Sequence, residues 1–314
     1  MEKVLVTGVV GFIGSEVARR CISDGYEVVG VDDLSSGREA RLPAGVEFIR
    51  ADLSKKTSMG LLPRDCHTIL HLAGQSSGEL SFLDPVGDLE RNVVSTLNLI
   101  EFGIKSGIAK ILYASSMGVY GATTALPASE DDPCAPISPY GVGKLAAEHY
   151  LWAHRDSIEV VALRMFNVYG PGQDLQNLRQ GMVSIYVAQA VSRGVIEVRG
   201  SLDRFRDFVF IDDVVEVWLR AIRSEAVHGC AVNVGTGVRT SVRDLLGELK
   251  ALVPGVEIDV RTGTPGDQSG IFADTRKLQE SLGPIHFTSL TEGLNRFVKW
   301  ASSKEPQLGG HSFG

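Results

Sequence analysis

Tyr140 and Lys144 stand four residues apart in "SPYGVGKLAAEHY", residues 138–150. On a helix the two side chains share one face, one turn apart. A phenol beside an ammonium can move a proton, and it can equally decorate a helix. The spacing alone leaves both readings open.

A second pattern is built for phosphate. "VLVTGVVGFIGSEVARR" sets Gly8, Gly11 and Gly14 where a strand turns into a helix. Glycine there permits the tight turn, lets the backbone approach a pyrophosphate, and packs helix against strand. The helix N-terminus then faces the phosphate charge. Asp32 closes the next strand in "VVGVDDLSSGR". A carboxylate at that point binds both hydroxyls of an adenosine ribose and repels a 2′-phosphate, so NAD is expected rather than NADP. Asp33 can assist, while Arg38 leaves slight room for a phosphate.

These residues need elements to position them. Apolar β-rich runs at 3–7, 27–31, 46–50, 68–72, 110–115 and 159–164 predict buried strands. Helical patterns fall between most of them, from Phe12, over 86–106 and over 138–155. Such alternation implies right-handed βαβ crossovers and an α/β fold, a Rossmann-type doubly wound parallel sheet covered on both faces. After Asn167 the rhythm breaks into loop-rich stretches with amphipathic segments at 241–253 and 290–301. The expected organisation is a cofactor domain over 1–166 and a smaller α/β lobe over 167–302, mainly substrate-binding, some of whose segments return to the sheet. A flexible tail is expected over 303–314.

Composition narrows the function. The 314 residues can bury a substantial core, and 44% hydrophobic with 22% charged residues is ordinary for a soluble protein. A net charge of -7 argues against a nucleic-acid surface. No apolar run approaches the roughly 18 residues that span a bilayer, and "MEKVLVTG" reads as a first strand rather than a signal peptide. Cys21, Cys66, Cys134 and Cys230 are widely separated, with no CxxC pair or matching histidine cluster. No metal site is expected; the thiols read as free, in a reducing cytoplasm.

The motifs "GxxGxxG", "VDDLSSG", "HLAG" (71–74), "SSMGVYG" (115–121), "SPYGVGK" and "LRMFNVYGPGQ" follow one another in this order. With them the chain resembles the extended short-chain dehydrogenase/reductase family, and within it the NAD-dependent nucleotide-sugar 4-epimerases of the UDP-glucose 4-epimerase type. The resemblance runs from residue 3 to about residue 300. It implies that Tyr140 and Lys144 are the family's catalytic pair. The Lys144 ammonium and a nicotinamide ring would together lower the tyrosine from its ordinary value near 10. Tyr140 would then take the proton of a sugar 4-hydroxyl. Ser116 matches the third catalytic residue, bonding the same oxygen, because it lies four before Tyr120 of "VYG"; Ser115 is its near neighbour and a cofactor contact.

The same resemblance assigns the rest of the site. Phe12 and Ile13 would lend amides to the pyrophosphate; Leu34, Ser36 and Gly37 belong to the ribose-side loop. Asp52 and Leu53 match an adenine-contacting pair, and Leu72, Ala73 and Gly74 the lining of the cofactor's middle. Asn92 matches a cofactor-side asparagine, and Phe166 a residue beside the nicotinamide. Asn167 and Arg206 match positions that hold the substrate diphosphate, and Asp267 is placed with the substrate. A homodimer through the helices near 86–106 and 138–155 is implied, as is a nucleotide-sugar substrate, UDP-linked.

Met117 and Gly118 occupy the two positions where the related dehydratases carry acid–base groups, which counts against dehydration. What remains is C4 inversion of a UDP-hexose, UDP-hexosamine or UDP-hexuronate through a transient 4-keto sugar. The alternatives are a 4-ketosugar reductase consuming NAD(P)H and a silent dinucleotide sensor. Three departures from the family stand out: Thr264 where an arginine is usual, with Arg206, Arg204 or Arg179 to take its load; Ile271 where some enzymes have an aromatic residue; and Val9 in place of a loop glycine.

Overall fold

The computed structural model describes residues 2–122, 125–178, 181–262 and 270–304. Its first half alternates as β1 (Lys3–Thr7), α1 (Phe12–Ser23), β2 (Glu27–Asp32), β3 (Glu47–Arg50), β4 (Thr68–His71), α2 (Gly78–Leu83), α3 (Pro85–Leu89), α4 (Ser95–Ser106), β5 (Lys110–Ser116), α5 (Pro139–Ala153) and β6 (Glu159–Met165). The second half continues with β7 (Asn167–Tyr169), α6 (Met182–Arg193), β8 (Val195–Arg199), β9 (Phe205–Arg206), β10 (Phe208–Phe210), α7 (Ile211–Arg223) and β11 (Cys230–Val234). It closes with β12 (Thr240–Ser241), α8 (Val242–Leu252), β13 (Glu257–Arg261), α9 (Arg276–Leu282) and α10 (Leu290–Ser302).

Seven strands form one parallel sheet in the order β11-β6-β5-β4-β1-β2-β3. The chain winds outward from β1 to one edge, then crosses back past β1 to β4. That reversal leaves a crevice at the carboxyl ends of β1 and β4, where open α/β sheets bind ligands. Strand alternation feeds both faces of the sheet. Val4 and Val6 of β1 enter the core shared with α1 and α7, while Leu5 enters the opposite core with Leu99 and Ile100 of α4. Burial on both faces is why these strands read as near-continuous apolar runs.

The expected helix over 86–106 is α3, a wider π-type turn at Glu90–Val94, and α4. It ends on Gly107 at φ 71°, a left-handed cap that glycine adopts without strain. The lobe beyond residue 166 is not separate from the sheet. β11 pairs with β6 in parallel, and α7 packs on α1. The remaining strands pair two by two, β10 with β7, β12 with β9 and β13 with β8, and α10 packs against α6 and α8. From residue 305 the expected tail lies outside the described residues, as do Arg179, Thr264 and Asp267.

Candidate active site

A cleft of about 1050 Å³ opens along the carboxyl ends of the sheet strands. Its floor at one point is the turn between β1 and α1. Gly8 sits at φ 68°, and a Cβ there would come within 2.7 Å of the Ala73 nitrogen. A Cβ on Gly14 would stand 2.1 Å from the Gly8 carbonyl oxygen. Only glycine lets the loop close this tightly. No side chain caps the start of α1 and no acid lies in its first turn, so the amides of Phe12 and Ile13 meet the cleft at the positive end of the helix.

Val9 stands in that loop because β2 makes room for it. A Cβ on Gly30 would meet both Val9 methyls at 2.7 Å, and Val9 is fully buried there. Gly37 does the same for Val10, whose Cγ2 lies 2.5 Å from the position of a Cβ. Sequence reasoning missed both glycines as supports for the loop's shape; the signal for Gly30 was a glycine inside an otherwise bulky strand.

Asp32, 8% exposed, accepts from the amides of Val10 at 3.3 Å and Leu34 at 2.9 Å. Burial raises its carboxyl, and those two amides oppose the rise. Leu34 adopts φ 63° to reach it. Arg38, the residue that left room for a 2′-phosphate, instead donates to Gln176 at 2.8 Å and pairs with Asp174 at 3.3 Å.

A buried polar chain joins β1 to β4. Thr7 Oγ1 accepts from the amides of Leu72 at 3.1 Å and Ala73 at 3.0 Å, so its own proton goes to His71 Nδ1 at 2.8 Å. This assigns the imidazole proton to Nε2, which donates to Thr96 Oγ1 at 3.0 Å. Thr96 in turn donates to the Asn92 carbonyl at 2.7 Å. His71 is fully enclosed, and burial pulls it down to about 3. It is a neutral strut for the loop 72–74; the "HLAG" motif contains it, but sequence reasoning assigned it no role.

The proton-transfer group is set by the ends of β5 and α5. Ser138 and Pro139 start α5: the serine hydroxyl accepts from the Gly141 amide at 3.2 Å and proline takes the first position. Tyr140 therefore lies in the first turn and Lys144 one turn later, buried, donating to the Ala114 carbonyl at 3.0 Å. Its ammonium is 5.7 Å from the Tyr140 ring centroid and 4.9 Å from that of Tyr113. Burial lowers Lys144 to about 8, against the pull of Asp88 and Glu148. Ser116 ends β5 with its hydroxyl accepting from the Gly118 amide at 3.1 Å, and it bonds Tyr140.

The expected lowering of Tyr140 involves the bound cofactor as well as the lysine. In the chain alone Tyr140 is not lowered: burial pushes it up to about 12, opposed by the bond to Ser116. Lys144, bonded to Ala114, does not by itself offset the desolvation, so the positive ring of a bound nicotinamide has to add to its field.

Most sequence-predicted residues line this one cleft. The glycine loop, Asp32, Asp33, Ser36 and Gly37 do, as do Asp52, Leu53, Leu72, Ala73 and Gly74. So do Ser115, Ser116, Tyr140, Lys144, Phe166, Asn167 and Arg206. Three behave differently. The Ser115 hydroxyl donates to Glu148, away from any ligand. Leu34 and Asn92 are not on the wall. Asn92 is buried behind Gly74, with Nδ2 donating to Asp88 at 3.1 Å and Oδ1 without a partner among the described residues. Sequence reasoning missed Asp88, Glu148 and the cleft residues Gln75, Ser77 and Arg41. Asp88 and Glu148 gave no signal because helical carboxylates are usually solvated. A second cavity, about 550 Å³ beside Ile104, Arg155 and His228, lies at the opposite end of the strands and holds none of these groups.

The glycine cradle, the uncapped helix and the Asp32 carboxylate at the end of β2 fit a dinucleotide. Residues 4–235 match the NAD dependent epimerase/dehydratase family. The chain is 38% identical over 312 residues to a UDP-glucose 4-epimerase of Mycolicibacterium smegmatis, covering 96% of this chain and 99% of that one. It resembles the crystal structure of UDP-glucose 4-epimerase with UDP-glucose from Thermotoga maritima, with a TM-score of 0.88, 34% identity, and 95% and 98% of the two chains covered. The Thermus thermophilus UDP-glucose 4-epimerase in complex with NAD superposes with a TM-score of 0.86 at 32% identity, covering 95% of this chain and 98% of that one.

Proposed function

Because this chain belongs to the NAD-dependent epimerase/dehydratase family, we propose that it is a nucleotide-sugar 4-epimerase, inverting C4 of a UDP-linked hexose, hexosamine or hexuronate. The observation that carries the reading is the meeting of Ser116, Tyr140 and Lys144 on the wall of the cleft that also holds the phosphate cradle, with Gly118 beside them. A Cβ at position 118 would lie 3.5 Å from both Ser116 Oγ and Tyr140 Cε1. An acid there would face the reacting sugar; glycine leaves Tyr140 as the proton carrier.

The glycine loop and the amides of Phe12 and Ile13 would hold the pyrophosphate of NAD, and Asp32 its adenosine ribose. When bound, NAD supplies the acceptor and later the donor of a hydride at C4. Tyr140 takes the O4 proton and returns it, Ser116 bonds the same oxygen, and Lys144 keeps a positive charge beside the phenol. Asn167 and Arg206 anchor the diphosphate while the 4-keto sugar turns. With Arg38 bonded to Asp174 and Gln176, NAD is favoured over NADP.

The same proposal includes a cofactor half at 1–166 and a mainly substrate-binding lobe at 167–302, with α7 and β11 returning to the first. It includes a homodimer, supported by exposed Val86, Leu89, Val142 and Tyr150 on α3 and α5. It includes a cytoplasmic location, supported by four free cysteines; among the described residues no helix is long and apolar enough to cross a membrane.

The test is to incubate purified protein, without added cofactor and again with NAD, with UDP-glucose, UDP-N-acetylglucosamine and UDP-glucuronate, and to read the products by proton NMR. A C4 epimer with no net change in NAD supports the reading. Net consumption of NAD(P)H with a 4-keto sugar, and no epimer, replaces it with a reductase.

A further inference from the structure

Helix α5 is tied to strand β5 at two successive points. One is the Lys144 bond to the Ala114 carbonyl. The other, one helical turn on, joins the next strand residue: Ser115 donates its hydroxyl to the Glu148 carboxylate. Tyr140, Lys144 and Glu148 therefore repeat at four-residue spacing on one helix face. The first two face the cleft, and the third is sealed beneath it with a side chain 0% exposed.

An isolated buried carboxylate would be costly. Arg164 of β6, 3% exposed, meets Glu148 with two donors, Nη2 to Oε2 at 2.8 Å and Nε to Oε1 at 3.0 Å. Its remaining Nη1 bonds the Tyr120 hydroxyl at 3.0 Å, which donates to Asn233 of β11 at 2.6 Å. The geometry is a bidentate fork with every oxygen engaged, the condition under which a buried pair holds a unique arrangement. Breaking it would leave a buried charge unmatched, and the pair acts from behind the wall: Glu148 holds Ser115, which lines the cavity, while neither Glu148 nor Arg164 lines it.

We propose that Glu148 is a positioning residue of the reaction: tied to Ser115 and Arg164, it fixes the face of α5 that carries Tyr140 and Lys144, and with it the surroundings of the Lys144 ammonium. This deepens the epimerase reading and rests on it for the meaning of that charge. The groups packed around the ammonium are Asp88 from α3, His71 from β4, Tyr113 from β5, and Tyr140 and Glu148 from α5. His71 is neutral and Tyr113 is held in its phenol form by burial. The negative charges left are Asp88 and Glu148, and both act to raise Lys144. Asp88 is shared with Asn92; Glu148 is held by the Arg164 guanidinium of β6, whose positive charge opposes its own, and by the Ser115 hydroxyl.

Three variants separate this from a merely structural role: Glu148→Gln, the paired Glu148→Gln/Arg164→Met, and the conservative Glu148→Asp. The paired variant removes both buried charges and so keeps the experiment open should Glu148→Gln alone fail to fold. The primary readout needs no substrate. Lys144 is titrated through the NMR shift of its ε-carbon in lysine-labelled protein, with Lys144→Arg identifying the signal. The midpoint is expected to fall by about one pH unit in Glu148→Gln, to return toward wild type in the paired variant, where the opposing Arg164 cation is gone as well, and to stay in place in Glu148→Asp. The second readout is the pH profile of UDP-sugar turnover, whose alkaline limb should move down by the same amount while the acid limb stays. An unmoved Lys144 midpoint in folded Glu148→Gln overturns the proposal, and so does turnover at the wild-type level with an unchanged pH profile in the folded paired variant, which lacks the tie to Ser115 and Arg164. Failure of wild-type turnover, by contrast, overturns the epimerase reading and leaves the titration to decide the role of Glu148 by itself.

Discussion

Lys144 is bonded to the backbone oxygen of Ala114, at 3.0 Å, and not to the phenol of Tyr140 one turn before it. An ammonium has three donors, so strand β5 sets the position of the lysine and leaves two donors for groups in the cleft. The lysine acts on the tyrosine through its field, at 5.7 Å from the ring centroid, and not by direct contact. This arrangement separates what each residue is expected to do when the other is changed.

Tyr140→Phe keeps the ring, the helix start at Ser138 and the bond from Lys144 to Ala114. It removes only the group that carries the proton. Turnover of the UDP sugar is expected to fall by about 10²–10⁴-fold, the range of a positioned acid–base group, while thermal unfolding and bound NAD stay near wild type. Steady-state assays beside a melting curve check this. An unaffected turnover would remove Tyr140 from the mechanism.

The titration of Tyr140 should depend on the cofactor's charge. Without ligand, burial holds the phenol near 12. A positive ring nearby favours the phenolate and a neutral one does not. Adding NAD⁺ is therefore expected to bring the midpoint down by one or more units, and adding NADH to shift it less. Phenolate absorbance, with Tyr140→Phe subtracted, measures it; equal shifts with the two forms would show that burial alone governs the group.

Lys144→Met tests the cost of the buried ammonium. The folded lysine titrates near 8 and the unfolded one near its ordinary 10.5, so the unfolded chain binds the extra proton between those values. By linkage the burden on the fold is full below 8 and is relieved as the pH rises toward 10.5. The variant should be inactive yet more stable at neutral pH, by at most about 3 kcal/mol. Its advantage should shrink as the pH climbs through that window. Urea unfolding of both proteins across the window reads the difference; a gap that grows with pH would contradict the buried cation.

Much of this site was legible because its chemistry repeats at short range. The glycine loop, the acidic end of β2 and the Tyr140–Lys144 spacing each lie within one turn or one strand, so period and position place them. What was not legible depends on contacts across the fold. Glu148 looks like any helical carboxylate until Arg164, from the next strand, closes over it. Asn92 is placed near the cofactor by its motif, yet the π-type turn at Glu90–Val94 sets it behind Gly74, off the wall. β11 reads as part of a later lobe, but its register with β6 returns it to the main sheet. The burial of Tyr140 escapes the sequence for the same reason: a four-residue spacing states proximity and says nothing of enclosure.

His71 links stability to acid. Its imidazole is neutral in the fold, lowered by burial to about 3, against an ordinary 6.5. Below 6.5 the unfolded chain binds a proton that the folded chain refuses, so this contribution is complete above 6.5 and is lost as the pH falls toward 3. At about pH 4 the loss is on the order of 3 kcal/mol. His71→Gln removes the titrating group, and its stability should fall less steeply with acid than that of the wild type. Denaturant midpoints from neutral pH down to about pH 4 compare the two slopes; parallel slopes would mean that His71 is charged in the fold.

The glycine loop offers a coupled test, because its unusual valine depends on a glycine in a different element. Val9 is fully buried, and both its methyls lie 2.7 Å from where a Cβ on Gly30 would be, with Val46 Cγ1 at 2.8 Å on the other side. Gly30→Ala forces side chains together in a closed space, which typically costs about 1–3 kcal/mol. The least constrained response is for Val9 to push the loop outward, and the loop is the phosphate cradle. Loss of NAD affinity is therefore expected together with loss of stability. Val9→Ala removes the clashing methyls, so Val9→Ala/Gly30→Ala should recover most of both, while Val9→Ala alone has a mild effect. Isothermal titration with NAD and denaturant unfolding of the four proteins complete the cycle. Additive losses would show that position 30 acts through some neighbour other than Val9.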